Sequence, residues 1–255
     1  MFPPRYRWVG PAAVLSVLLA GLFAIDPIPQ SPAYHALADS RSWYGVPNVL
    51  NVVSNAAFLY VGVVGLRLCF EPEGPPLRLV WSIFFLGVAL VCAGSAYYHW
   101  RPDNARLVWD RLPMTVAFMA LFAAVIAEHI GESLDRYLLA PAVVVGIASV
   151  QWWQYTDDLR PYLWVQAAPL VAVPLLFAFY PSRYGYRRYL LYALGVYLLA
   201  KALELYDHEV YRLTWRIVSG HTLKHLVAAL STYLIYRMLR QRALQPAIRA
   251  PRTTP

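Results

Sequence analysis

The chain is poor in charge. Only 14% of its residues are Asp, Glu, Lys or Arg, where a soluble domain carries about 25%. That deficit excludes an ordinary water-soluble domain. Cysteine is nearly absent. Cys69 and Cys92 lie within apolar runs and neither has a CxxC partner, so both read as buried and inert. No linker or low-complexity stretch sets off a second folded domain. Basic residues are not interleaved with aromatics, and nucleic acid is not an expected partner. The net charge of +8, from 22 Lys and Arg against 14 Asp and Glu, reads instead as a record of membrane topology. Internal inverted repeats, the mark of many transporters, are also missing.

What is present is apolar, at 59% hydrophobic residues. Runs of about 20 apolar residues, long enough for a membrane helix, fall near 8–25, 48–69, 78–99, 111–129, 137–154, 162–180, 187–206 and 219–239. They predict an all-α, polytopic membrane helix bundle. The first run is expected to remain as an anchor. It is long enough to cross the bilayer, and the Ala36-Leu37-Ala38 triplet that would mark signal-peptide cleavage lies well past it. Arg67, Arg78, Arg136, Arg183, Arg187, Arg188 and the arginine-rich tail fall on one side of the predicted topology. Arg41, Arg101, Arg106, Arg111, Arg160, Arg212 and Arg216 fall on the other. The first side holds the excess, counting the basic N-terminus, so both termini are expected in the cytoplasm.

Against this background five polar residues stand out. GSAYYHW places Ser95 and His99 four apart, and GHTLKHL does the same with His221 and His225. Members of such a pair share one helix face. Asp110 opens the next run after Ser95 and His99. The predicted topology brings all five to one depth on the non-cytoplasmic side. Imidazoles, a carboxylate and a hydroxyl inside a bilayer are costly unless they bind something or line a wet cavity. Three imidazoles match the ligand set of a catalytic zinc with one open position; a proton or ion relay is the alternative. Asn48, Asn51 and Asn55 form a polar stripe at the start of the second run, expected to bond between helices or, as the other reading, to touch substrate. Lys201 and Glu204, expected as an internal ion pair, join Asp207, His208, Tyr155, Asp157 and Asp158 as candidate walls of a polar cavity. Asn51, Asn55, Tyr155, Lys201 and Glu204 are the candidate substrate-binding residues. Gly62, Gly65, Gly87, Gly94 and Gly195 are expected to let helices pack closely. His35 and His129 read as bystanders.

These motifs, with WDRLP around Asp110 and NVLNVVSN from Asn48 to Asn55, resemble the alkaline ceramidase family. Its wider superfamily of membrane hydrolases includes adiponectin-receptor-like proteins. The resemblance covers about residues 39–239. It implies a seven-helix core preceded by one N-terminal transmembrane helix. The division is residues 1–38 as anchor and external loop, 39–239 as hydrolase core, and 240–255 as a disordered cytoplasmic tail. It implies Zn2+ on His99, His221 and His225, with Ser95 and Asp110 as catalytic residues beside it. The expected activity is cleavage of the amide of ceramide-like N-acyl lipids to a fatty acid and a free amine base, in an integral protein of a bacterial inner membrane. Eukaryotic relatives carry an acidic calcium-binding cluster, with Glu where this chain has Asn48. Only Asp39 remains of it here, which counts against a calcium site. A zinc-containing receptor or regulator of the adiponectin-receptor type, or a metal-free proton or solute transporter, are the rival readings.

Overall fold

The computed structural model describes residues 9–181 and 184–244. Among these residues there are helices and no strand: α1 (Val9–Phe23), α2 (Val49–Val53), α3 (Ala56–Phe70), α4 (Arg78–Trp100), α5 (Asn104–His129), α6 (Leu134–Thr156), α7 (Arg160–Phe179), α8 (Arg188–Leu205), α9 (Asp207–Leu213) and α10 (Gly220–Leu244). The chain is an all-α polytopic bundle. Five segments are long and apolar enough to cross a membrane: α2–α3 taken together, α4, α5, α6 and α7. A sixth is α8–α9, if that pair, bent by 82°, counts as one span. The described part of α1 is apolar but shorter. Although 25 residues long, α10 is not among the apolar spans. Its first turns carry Lys224 and two imidazoles, and its last turns carry Arg237, Arg240 and Arg242. It also runs on to Leu244 with Arg242 buried against Glu128, so residues 240–244 belong to the bundle. The rest of the expected tail, Arg183 and the basic N-terminus lie outside the described residues.

Helix α5 is the central element, packing on α4, α6 and α7, while α10 packs on α8 and α3. Alanines 120, 123 and 124 of α5 share one buried core with Trp81, Phe85 and Val88 of α4. Small side chains there let the helices close up. Between α4 and α5 the closest glycine approach falls at Gly94, where a Cβ would stand 2.1 Å from the Trp109 carbonyl oxygen. Because Gly94 precedes Ser95 and Trp109 precedes Asp110, this contact brings the two candidate catalytic side chains together. Gly195, expected to serve the same purpose, faces open space.

The segment from residue 24 to residue 48, between α1 and α2, lies as a strap over one end of the bundle. Gln30 N donates to Asp157 (3.0 Å), Ile28 N to Asp158 (3.4 Å) and Ala38 N to Asp207 Oδ2 (2.9 Å). His35 bonds the Tyr98 hydroxyl at 3.0 Å and Asn104 at 2.9 Å. It is a tether and no bystander. Asp157 and Asp158, expected in a cavity wall, are fasteners for the strap.

Asp158 also holds Arg160, whose side-chain hydrogen bonds pull its carboxyl from 3.8 down to about 2. A depressed folded value means the stabilisation is complete above 3.8 and is lost as pH falls towards about 2. Asp158→Asn removes it at every pH. The variant should show, at neutral pH, the protease sensitivity of residues 24–48 that the parent protein acquires only in acid. Equal protection of both proteins at neutral pH would contradict this role.

Candidate active site

The C-terminal end of α4, the first turns of α5 and the first turns of α10 meet beneath the strap. Ser95, His99, Asp110, His221 and His225 are all buried there. The rings of His99, His221 and His225 form a nearly equilateral triangle, with centroids 4.7, 4.8 and 4.9 Å apart. One nitrogen from each lies within 4.8 Å of the others. His99 Nε2 and His221 Nε2 are 3.2 Å apart. Tetrahedral zinc with bonds of 2.0–2.1 Å would set its ligand nitrogens about 3.3 Å apart. His225 Nε2 is buried without a hydrogen-bond partner, a state that costs free energy unless something occupies its lone pair. Three imidazoles so arranged fit a tetrahedral zinc with its fourth position left open.

The other nitrogen of His225, Nδ1, bonds Ser54 Oγ at 2.8 Å. Such partners fix the tautomer and direction of a ligand ring. Ser54 sits where the chain breaks between α2 and α3, a break stabilised by Asn55 Nδ2 donating to the Asn51 carbonyl (2.7 Å). Ser54→Ala is expected to weaken zinc affinity by about 10- to 100-fold while leaving the melting temperature of the metal-free protein nearly unchanged. Competition against a fluorescent chelator measures the first effect, and unchanged affinity would remove Ser54 from the site.

The start of α10 is built from outside itself. Asp207, at the head of α9, accepts from His221 N at 2.7 Å, and Gly220 lies so close to α8 that a Cβ would be 2.3 Å from the Leu203 carbonyl oxygen. Asn51 accepts from Thr222 Oγ1 at 2.8 Å and donates to the Asp39 carbonyl. Asn48 donates to the His99 carbonyl at 2.8 Å. The asparagine stripe thus bonds between elements and supports both histidine segments. Asp39 is engaged by Arg41 at 2.8 and 2.7 Å.

A cavity of about 300 Å³ opens from this site into the bundle. Ser95, Asp110, Lys201, Glu204, Lys224 and His225 line its polar end, and Phe84, Leu121, Leu190 and Ile235 its apolar end. The lining extends over twelve residues on each of α4, α5 and α10 and over fifteen on α8, about 17 to 21 Å at 1.5 Å per residue. Glu204 binds Lys201, Lys224 (3.0 Å) and the Tyr34 hydroxyl (3.2 Å), so the expected Lys201–Glu204 pair is present and larger than expected.

Of the five candidate substrate contacts, Lys201 and Glu204 line the cavity. Asn51 and Asn55 stand behind it, and Tyr155 is 83% exposed on the outer face of α6. Tyr34, Arg111 and Lys224 line the cavity without having been singled out. Lys224 lies inside the His-x3-His motif, and it and Lys201 are the chain's only lysines. That rarity was the available signal. Arg111, taken as a topological charge, is instead buried.

No curated protein matches the chain significantly. The family model for ceramidases matches residues 43–249, a stretch that includes α2 to α10 and all five converging residues. The chain belongs to the ceramidase family.

Proposed function

We propose that this protein is a zinc-dependent amidase of the bilayer that cleaves the N-acyl bond of ceramide-like lipids. The observation that carries the reading is the buried imidazole triangle at the polar mouth of an apolar, chain-shaped cavity. Held by His99, His221 and His225, zinc supplies Lewis acidity, polarising the acyl carbonyl and easing ionisation of water. The remaining work falls to side chains. Asp110 takes a proton from the attacking water and passes it to the departing amine nitrogen, as base and then acid. As the water oxygen bonds to the carbonyl carbon and the C–N bond breaks, the Ser95 hydroxyl donates to the developing oxyanion. Lys201 and Glu204 meet the head group, and the apolar wall holds the acyl chain.

The Arg-rich ends of the helices support an orientation with this mouth towards the non-cytoplasmic leaflet. Metal content by elemental mass spectrometry, measured alongside hydrolysis of a panel of N-acyl lipids and their ester analogues, tests the reading. About one zinc per chain and fatty acid released from the amides are expected. Full hydrolysis by metal-free protein would overturn zinc dependence, and a zinc-loaded protein inert towards the whole panel would favour a receptor.

A further inference from the structure

The cavity wall carries three cations, Arg111, Lys201 and Lys224, against two carboxylates, Asp110 and Glu204. Glu204 takes both lysines. Among the described residues Arg111 has no carboxylate within ion-pair distance, although it is only 4% exposed. Its guanidinium is instead boxed by aromatic rings, 4.0 Å from the Trp153 centroid, 4.6 Å from Tyr162 and 5.8 Å from Tyr34. Nη2 donates to Gln30 Oε1 at 2.5 Å, and Nη1 is buried with no acceptor at all. Aromatic faces offset part of the cost of burying the charge. They do not satisfy a donor, and a buried charge without a counter-ion is strongly unfavourable. A fixed, planar fork with a free N–H in a cavity wall matches the geometry of a carboxylate.

We propose that Arg111 is an anion subsite that binds the carboxylate of a long-chain lipid lying in the cavity. This rests on the reading that the cavity takes acyl lipids. Two sources offer the same chemistry: the fatty acid released by hydrolysis, or the head group of an N-acyl amino acid. Either would supply the negative charge that the wall lacks.

Binding, read without turnover, tests it. Full-length protein in detergent, metal-loaded and metal-stripped, is titrated with hexadecanoic acid, hexadecanol and N-hexadecanoylglycine by displacement of a fluorescent lipid. The acid should bind about tenfold or more tighter than the alcohol, with and without metal. Arg111→Gln should erase that preference while leaving hexadecanol affinity unchanged, and Arg111→Lys should retain part of it. A preference for the free acid assigns the released fatty acid as ligand; a preference confined to the acylglycine assigns the head group. Equal affinity of the parent protein for acid, acylglycine and alcohol overturns the subsite without recourse to any variant. So does a preference that survives Arg111→Gln or vanishes on removing the metal, since the metal would then be the anion's partner. An acid-selective protein that hydrolyses no amide would leave this inference standing and remove only the amidase reading.

Discussion

His221→Ala protein should purify with almost no zinc, release no fatty acid above background and melt at a lower temperature than the parent. Two imidazoles would remain, one fewer than the three protein ligands a catalytic zinc needs. The loss is expected to be specific. The bond from Asp207 reaches the main-chain nitrogen of residue 221, so alanine there keeps the start of α10 in place. The stability lost is the part linked to metal binding. A chelator should therefore lower the melting temperature of the parent protein and leave that of the variant unmoved. Zinc retained at about one per chain in the variant would show that the triangle of rings is not the ligand set.

Asp110→Asn should separate metal binding from chemistry. Asn is close in size to Asp, but it cannot carry a proton from water to a leaving amine. Asp110 is not one of the three imidazole ligands, so zinc content should stay near that of the parent. Loss of a positioned general acid–base costs about 10²- to 10⁴-fold in rate. The fall should appear in kcat with little change in KM, the pattern of an interaction made in the transition state. Zinc-replete Asp110→Asn with parental kcat would assign the proton transfer elsewhere.

The sequence spoke clearly where helical periodicity and polarity coincided. Ser95 with His99, and His221 with His225, each had to share a face, and their burial in a chain this apolar demanded a ligand or a cavity. It was less legible where the meaning of a residue depended on contacts far along the chain. Arg111, at the start of an apolar run, has the sequence context of any topological arginine. Only the aromatic box from the strap, α6 and α7 distinguishes it. Asn51 was visible as a polar residue on an interior face, but its partners are a strap carbonyl and a hydroxyl on α10, fixed by the fold. Tyr155 failed for a rotational reason. Trp153 turns inward at 2% exposure, and two positions later the helix has turned Tyr155 outward. The second apolar run hides a break at Ser54 and Asn55, where both side chains bond the Asn51 carbonyl in place of part of the main-chain ladder.

Asp207 spends one carboxylate oxygen on the strap, at Ala38, and the other on the first turn of α10, at His221. Lifting the strap to admit solvent would therefore disturb the turn that carries His221, one corner of the imidazole triangle. A sideways path between helices leaves Asp207 untouched. Traffic by that path is two-dimensional. Rates would then follow the mole fraction of substrate in the surrounding lipid or detergent, and diluting the substrate with inert amphiphile at constant bulk concentration would slow the protein.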